Sequence, residues 1–346
     1  MNYEKKVKGS LYGLVIGDLV GLRYENAKPS SINSSNIGKT CLNGAVSDDT
    51  EHMILITRSL VKYEDLNLFK KSFRRAMQLW LLTLPINIGR TTLYSIIKSF
   101  FSSGYGISGS GNGSVMRIAP IGLYYYNEDD KIKKFSEESC RITHNDEECI
   151  INSIAIAKIL SFILKNNLTA KNKPRYEEID KNLREISSSK FWNETLDELK
   201  SYIDNNTKPL DIVNSWNNKG AVGYTKYTTI ISIYCWYKYY GDFEKTIFEI
   251  IKCGGDTDTN AAVAGSLAGA VCEYDSLPSH FFNKINDIAI GKIDIEKACQ
   301  SILNRKNNIS LKRLSTLGWI KNIILLFYFL SLTTYFGILN ILKKKY

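Results

Sequence analysis

The chain has 346 residues, of which 44% are hydrophobic, so it can bury a large core and exceeds one typical domain in length. Its seven cysteines form no Cys-x-x-Cys pair and its three histidines do not cluster, which argues against a disulfide framework and a zinc site. The net charge of +10 lies in the tail, because nine Lys and Arg and no acidic residue follow Glu296; residues 1–296 carry only +1, which argues against a nucleic-acid partner.

Most of the chain before the tail predicts helices, because apolar residues recur at spacings of three and four. The predicted helices cover residues 9–22, 50–63, 68–82, 152–164, 227–241, 243–253 and 260–272. Strand-like alternation is scarce, and the polar segment 165–218 predicts peripheral helices and loops. We therefore expect an all-α fold, a compact domain of orthogonal helices over residues 1–300.

The first predicted helix is followed by Glu25, in the stretch "GDLVGLRYE". Glycines at positions 13, 17 and 21 predict that this helix packs closely against a neighbour. A single carboxylate in such a place is commonly a solvated surface charge. The alternative is that Glu25 projects into a functional site.

A first acidic cluster opens the second predicted helix, in "VSDDTEHMILI", with Ser47, Asp48 and Asp49. Helix capping explains such a cluster when it stands alone, and Asp48 followed by Glu51 fits a capping box. Capping needs one side-chain oxygen, however, and this cluster offers two carboxylates and a hydroxyl.

A glycine-rich stretch, "SSGYGISGSGNGSVMRIAP", follows at residues 102–120. Its dinucleotide-like glycine spacing lacks the preceding strand that a Rossmann site requires, because the residues upstream predict a helix. We interpret the stretch as backbone that approaches a ligand closely, with Gly111, Asn112 and Gly113 at its centre. A flexible surface loop is the alternative. Further on, His144 in "THNDEECI" precedes another helix, where a cap or a packed polar residue is the plainer interpretation.

A second acidic cluster, "GGDTDTNAAVAG", places Asp256, Asp258 and Thr259 at the start of the 260–272 helix. Asp258 or Thr259 could cap that helix, but two close carboxylates repel each other, and a hard divalent cation relieves such repulsion. If the two helix starts face each other, their oxygens form a cage that suits a pair of Mg²⁺ or Mn²⁺ ions. The predicted metal ligands are Ser47, Asp48, Asp49, Asp256, Asp258 and Thr259.

The tail predicts an apolar helix over residues 322–342, which hold no charged residue over 21 positions. Such a run is long enough to cross a bilayer, and a buried C-terminal helix is the alternative. Residues 301–321 then form a basic linker. The basic flanks and the lack of a signal-peptide core keep the catalytic domain cytoplasmic in this prediction.

These stretches, in this order, resemble the ADP-ribosylglycohydrolase family, which includes the dinitrogenase reductase-activating glycohydrolase. The likeness rests on "GSLYGLVIGDLVGLRYE", "SDDTEHM", "GNGSVMRIAPIGLYY", "THNDEECI" and "GGDTDTNAAVAGSLAGA", and spans about residues 8 to 275. It implies an all-α fold, two Mg²⁺ or Mn²⁺ ions, and hydrolysis of the glycosidic bond that joins ADP-ribose to a protein side chain or small acceptor.

The resemblance also implies a role for each candidate residue. The six predicted ligands match the metal ligands of the family, although Ser47 stands where threonine is usual. Glu25 matches a glutamate near the metals, Asn112 with Gly111 and Gly113 matches the loop that holds ADP-ribose, and His144 matches a residue lining that cleft. Proton transfer falls to Asp49 or Glu25. Two alternatives stay open: an ADP-ribose-binding module without turnover, and a metal-dependent hydrolase of another nucleotide-sugar.

Overall fold

The computed structural model describes residues 2–39, 41–85, 88–217, 219–324 and 327. Over these residues the chain is helical, with short 3-10 turns and isolated bridges but no strand, so the prediction of an all-α fold is confirmed. The helices are α1 (Tyr3–Gly21), α2 (Asp48–Lys62), α3 (Leu66–Leu81), α4 (Arg90–Ser99), α5 (Ala119–Tyr124), α6 (Asp129–Arg141), α7 (Glu147–Lys165), α8 (Tyr176–Arg184), α9 (Lys190–Asp204), α10 (Pro209–Trp216), α11 (Thr225–Lys238), α12 (Phe243–Ile251), α13 (Thr257–Cys272), α14 (Ser279–Phe282) and α15 (Lys292–Asn304). Residues 311–324 are also helical, and we call them the C-terminal helix.

The centre of the molecule is an antiparallel pair of helices, α1 and α13, whose backbones touch. Small residues recur at every fourth position on both facing surfaces, which lets the axes approach far closer than larger side chains allow. A Cβ atom added at Gly9, Gly13, Gly17 or Gly21 would lie 2.1 to 2.4 Å from a carbonyl oxygen of Gly269, Gly265, Ala261 or Thr257, respectively. The pair therefore has one register, which fixes the ends of α1 and α13 relative to each other.

Other helices enclose this pair and bury it almost completely. Every residue of α13 is buried, as is every residue of α1 from Gly9 onward. Helices α2, α5, α7, α11, α12 and α15 pack around the pair and supply most of the large apolar side chains of the core. Burying one such side chain contributes roughly 1.5–3 kcal/mol relative to exposure. The N-terminal ends of α2 and α13 are thus held by a rigid interior.

The chain after α15 differs from the prediction of a linker over residues 301–321. Helix α15 continues to Asn304, and the C-terminal helix begins at residue 311. Leu311, Leu314 and Leu317 recur every third residue and pack against the core, a periodicity that the intervening basic residues obscured in the sequence.

The hydrophobic tail lies largely beyond the region that the structure describes. Of the predicted apolar helix 322–342, only residues 322–324 and 327 are described. Within the described part of the chain, no helix combines the length and the apolar character needed to span a bilayer. The membrane-spanning helix, and its buried alternative, therefore stay predictions.

Candidate active site

The starts of α2 and α13 meet at one end of the central helix pair. The Thr259 hydroxyl donates to both carboxylate oxygens of Asp49, at 3.1 and 3.2 Å, across 210 positions of sequence. Carboxylate oxygens of Asp18, Asp49 and Asp258 all lie within 4.8 Å of one another, and all three residues are buried. The structure thus brings the two acidic clusters into a single site and adds a third acidic residue, Asp18.

Helix capping accounts for little of this carboxylate-rich site. Ser47, rather than Asp48, caps α2, where its hydroxyl accepts from the Asp49 amide at 3.2 Å. The N-cap residue of α13 is Asp256 instead of Asp258 or Thr259, and its carboxylate accepts from the Asn112 side chain at 2.9 Å. The carboxylates of Asp48 and Asp256 are therefore available for chemistry rather than occupied by helix ends.

Burial and closely spaced negative charges together determine the electrostatics of the site. Burial raises the pKa of Asp49 well above its ordinary value, and the neighbouring charges of Asp18, Asp48 and Asp256 raise it further. Burial also raises the pKa of Asp258, with Asp256 and Asp49 as the next causes. Carboxylates that protonate so readily in isolation are those that a nearby cation would stabilise in the charged form.

The donor set suits a hard divalent cation. The oxygens come from carboxylates and hydroxyls, the ligands that Mg²⁺ and Mn²⁺ prefer. The Ser47 hydroxyl, like that of Thr259, donates its hydrogen to Asp49, here at 3.0 Å. A hydroxyl that donates in this way keeps an oxygen lone pair for a cation. The assignment of Ser47, Asp48, Asp49, Asp256, Asp258 and Thr259 as ligands of an ion pair stays a prediction, and the donor chemistry of the site is compatible with it.

Asp18 is the site residue that the sequence patterns did not reveal. It is fully buried in α1, and its carboxylate accepts from the Ser47 amide at 3.0 Å, the Thr50 amide at 3.2 Å and the Thr50 hydroxyl at 2.5 Å. These bonds occupy the carboxylate, so we assign Asp18 to holding the start of α2 rather than to binding a cation. The sequence did hold one signal, a single acidic residue inside an apolar helical stretch, because a carboxylate is almost never fully buried without a partner.

Glu25 lies at the edge of the acidic cluster, on the loop after α1. Two backbone hydrogen bonds pin this loop to the second acidic cluster: the Asn26 amide donates to Gly255 at 2.7 Å, and the Gly255 amide donates to Ala27 at 2.9 Å. Gly254 and Gly255 have positive φ values of 65° and 78°, which a residue with a side chain adopts only with strain. The charge of half-buried Glu25 reaches Asp48 and Asp258 and raises the pKa of both, after burial and closer carboxylates.

The glycine-rich loop borders the acidic cluster from the other side. The side-chain nitrogen of Asn112 donates to Asp256 and to the Thr228 hydroxyl, both at 2.9 Å, which ties the loop to α11 and α13. Gly111 and Gly113 are half-buried beside the His144 ring. A Cβ atom at Gly113 would lie 3.1 Å from that ring, so the close approach depends on glycine. Gly111, Asn112, Gly113 and His144 therefore lie together next to the carboxylates, and their role in binding substrate stays a prediction.

His144 is held in one orientation by a short relay from Arg117. The Arg117 guanidinium donates to the Thr143 hydroxyl at 2.7 Å, and this hydroxyl lies 2.8 Å from Nδ1 of His144. The Thr143 hydroxyl, which accepts from arginine, can direct its own hydrogen to Nδ1; in that tautomer the histidine proton lies on Nε2, beside the glycines. Burial, aided by the Arg117 charge, lowers the pKa of His144 to about 3. Arg117 itself is fully buried and supports the site from behind.

A loop between α10 and α11 completes the wall between the glycines and Asp256. Within it, the Gly223 carbonyl accepts from the Asn112 amide at 3.2 Å, and Ala221 pairs with Gly255 and accepts from the Asp256 amide at 3.0 Å. A Cβ atom at Gly223 would lie 2.7 Å from an Asp256 oxygen. This loop carries a single charged residue, Lys219, and no recognisable motif, so nothing in the sequence pointed to it.

Comparison with known proteins gives one consistent result. The sequence model of a family described as ADP-ribosylglycohydrolase matches residues 1–310. The ADP-ribosyl-dinitrogen reductase glycohydrolase of Rhodospirillum rubrum is 23% identical over 292 residues, 80% of this chain and 89% of that protein. The ADP-ribosylhydrolase ARH3 of Danio rerio is 25% identical over 314 residues, 79% of this chain and 84% of that protein. A solved structure described as an ADP-ribosylglycohydrolase-related protein complex has the same fold, with a TM-score of 0.65 at 19% identity, over 88% of this chain and 98% of the other.

Proposed function

Since the chain belongs to the ADP-ribosylglycohydrolase family, it is a hydrolase of glycosyl bonds, and we propose that it releases ADP-ribose from a protein side chain or small acceptor with the help of two divalent cations. Two similar proteins support this substrate class, because their names describe the removal of ADP-ribose. The observation that carries the proposal is the meeting of both acidic clusters beside the glycine loop, joined by the bond between Asn112 and Asp256.

The cations are held in this proposal by Ser47, Asp48, Asp49, Asp256, Asp258 and Thr259. When bound, such ions supply positive charge that orients ribose hydroxyls and makes nearby water more acidic. The raised pKa values of Asp49 and Asp258 support this assignment, because burial first and neighbouring carboxylates second disfavour the charged forms, which a bound cation would stabilise. Magnesium and manganese are equally compatible with the all-oxygen donor set.

ADP-ribose lies along the glycine loop in this proposal, with its anomeric carbon toward the carboxylates. Gly111 and Gly113 admit the ligand close to the backbone, and Asn112 sets the distance between loop and cluster through Asp256. The lowered pKa of His144 keeps the ring neutral, and in the tautomer with its proton on Nε2 it offers the ligand a hydrogen-bond donor without a charge.

Proton transfer is assigned to Glu25 in preference to Asp49. Asp49 is fully buried, and both its oxygens accept hydrogen bonds from Thr259. Glu25 is half-buried at the edge of the cluster, so it can exchange a proton with solvent between turnovers. Glu25 takes a proton from the attacking water as its oxygen bonds to the anomeric carbon, the glycosidic bond breaks through an oxocarbenium-like state, and that proton passes to the released acceptor.

The test is hydrolysis of three substrates in parallel, each with Mg²⁺, with Mn²⁺ and with EDTA. The substrates are ADP-ribosyl-arginine, ADP-ribosyl-serine and O-acetyl-ADP-ribose, which differ only in the acceptor. We expect release of ADP-ribose from at least one of them, and loss of that release in EDTA. Binding of ADP-ribose without release from any substrate would replace the proposal with a binding module, and release that persists in EDTA would remove the cations from it.

Single variants then locate the activity. Asp258→Asn and Glu25→Gln are expected to lower turnover by more than about a hundredfold. Replacing a group beside the reacting atoms lowers activity more than replacing a residue that only supports such a group. Asp242→Asn is the matched control, since Asp242 caps α12 at the surface through a 3.0 Å bond to the Lys245 amide, and asparagine caps equally well. Full activity in Asp258→Asn would contradict the proposed site.

A further inference from the structure

A buried lysine of the C-terminal helix reaches the segment that carries the first acidic cluster. Lys321 Nζ donates to the Val46 carbonyl at 3.0 Å and forms ion pairs with Glu51 at 2.8 Å and Asp287 at 2.9 Å. The side chains of Lys321, Glu51 and Asp287 are 7%, 11% and 1% exposed. Val46 immediately precedes Ser47, and Glu51 lies within the first turn of α2, just after Asp49. Lys321 therefore contacts both sides of the predicted metal-ligand segment.

The same segment is fixed by further bonds to side chains distant in sequence. The Asp287 carboxylate accepts from the Val46 amide at 3.2 Å, and the indole of Trp80 donates to Glu51 at 2.6 Å. On the opposite side, Asp18 holds Ser47 and Thr50. Residues 46–51 are thus clamped between α1 on one side and a Lys321-centred network on the other.

Charge makes Lys321 the central member of this network. Glu51 and Asp287 are two nearly buried carboxylates beside a site already rich in negative charge, and leaving such groups unpaired is strongly destabilising. Burial alone lowers the pKa of Lys321, but the charges of Glu51 and Asp287 outweigh burial and raise it. The ammonium group consequently stays charged and balances both acids.

We propose that Lys321 is a positioning residue for the cation site: by fixing Val46 and Glu51 it sets the geometry of Ser47, Asp48 and Asp49, and so makes cation affinity depend on the docked C-terminal helix. This inference rests on the proposed function, because it presumes that these residues bind the cations. It adds a determinant outside the matched family region, which ends at residue 310.

The docking of the C-terminal helix is specific at the neighbouring position too. The side-chain nitrogen of Asn322 donates to the carbonyl and the hydroxyl of Thr83, at 3.0 and 3.2 Å, beyond the end of α3. Lys321 and Asn322 are both buried, whereas Lys312 on the same helix is exposed. The chain therefore offers a matched pair of lysines for a test.

The experiment measures Mn²⁺ binding to the full-length protein by electron paramagnetic resonance of the free ion, with no substrate present. We expect Lys321→Met to raise the Mn²⁺ dissociation constant about tenfold, the lower range found for residues that orient metal ligands. Lys312→Met is expected to match the wild-type protein within about twofold, because exposed charges away from a site have little effect on it. Thermal unfolding of each variant, with and without Mn²⁺, separates loss of affinity from loss of fold.

Each outcome decides the proposal. Suppose that the Lys321→Met protein unfolds at a lower temperature but binds Mn²⁺ like Lys312→Met. Lys321 then has a structural role only, which overturns the inference and leaves the proposed function intact. Wild-type protein without Mn²⁺ binding overturns both. If Lys321→Met does not fold, Asn322→Ala loosens the same docking without stranding a charge; a dissociation constant raised about threefold supports the inference, and an unchanged one refutes it.

Discussion

Asp18 occupies the point where the central helix α1 meets the start of α2. A carboxylate buried there would destabilise the folded protein by several kcal/mol if hydrogen bonds did not replace those it makes to water. Ser47 and Thr50 donate to both its oxygens, and these donors lie at a helix N-terminus, where negative charge is favoured. Burial raises the pKa of Asp18 to about 6, against the opposing effect of these bonds. One side chain thereby links the central helix pair to the first acidic cluster.

The variant Asp18→Asn tests this link. An asparagine would turn an N–H donor toward the amide and hydroxyl donors of Ser47 and Thr50, so we expect a loss of about 3 kcal/mol in the free energy of unfolding, the upper range for an unsatisfied buried polar group. Urea titration followed by circular dichroism measures it. Asp65→Asn provides the control, because Asp65 caps α3 at the surface through Leu68 and asparagine caps equally well. Equal effects from the two substitutions would show that Asp18 is an ordinary cap.

The environment of His144 predicts how the stability of the folded protein depends on pH. Its pKa is about 3 in the folded protein and near 6.5 in the unfolded chain. Between these values only the unfolded chain takes up the proton, so the stability contributed by the neutral histidine is complete above pH 6.5 and declines as the pH falls. Relative to His144→Gln, which cannot titrate, the wild-type protein should lose roughly 2 kcal/mol of stability between pH 7 and pH 5.

Chemical unfolding of the two proteins at several pH values measures this difference. Comparison with the variant cancels the contributions of the acidic cluster, whose raised pKa values act in the opposite direction. Between pH 7 and pH 8 the difference is expected to stay constant, which serves as the internal control. A difference that is flat down to pH 5 would mean that His144 is accessible to protons in the folded state.

At the level of secondary-structure elements, the packing of α1 against α13 sets the relative positions of the two acidic segments that these helices carry. The glycines of α1 indicate close packing from their spacing alone, but the identity of the partner helix depends on contacts between the two ends of the domain. The seryl hydroxyls of Ser10 and Ser266 lie 2.9 Å apart, and the Thr257 hydroxyl donates to the Gly21 carbonyl at 2.8 Å. These contacts confirm one register along the whole pair, and that register carries Asp18 and Asp258 to the same end.

Gly13→Ala tests the register directly. The added Cβ atom would lie 2.2 Å from the Gly265 carbonyl oxygen, so the helices must separate, and we expect a loss of about 3 kcal/mol or more in the free energy of unfolding. Gly13 is removed from the acidic cluster, which makes the effect one of packing. The matched substitution is Gly89→Ala, because a Cβ atom there meets no atom within 4 Å among the described residues other than its chain neighbours. A Gly13→Ala protein as stable as Gly89→Ala would refute the contact between the two backbones.

Across the whole molecule, the sequence predicted what local patterns determine. Helical periodicity identified the body of the domain, and the shared format of "SDDT" and "DTDT" indicated that two distant helix starts meet, as the bonds between Thr259 and Asp49 show. Three features could not be predicted from the sequence, because they depend on tertiary contacts. The bonds from Asp18 to the start of α2, the loop at Ala221 and Gly223, and the ion pairs of Lys321 each join segments far apart in the chain.

The pairing of the first long helix with the thirteenth has a consequence for biosynthesis. Gly21 leaves the ribosome 236 residues ahead of Thr257, its partner. Until α13 has cleared the exit tunnel, the glycine face of α1 has no partner helix to pack against. The first and second acidic clusters cannot meet before that point. A nascent polypeptide of this kind cannot assemble the acidic site for most of its translation, and one that terminates before α13 never assembles it, because Asp256, Asp258 and Thr259 are synthesised together with the helix that α1 packs against.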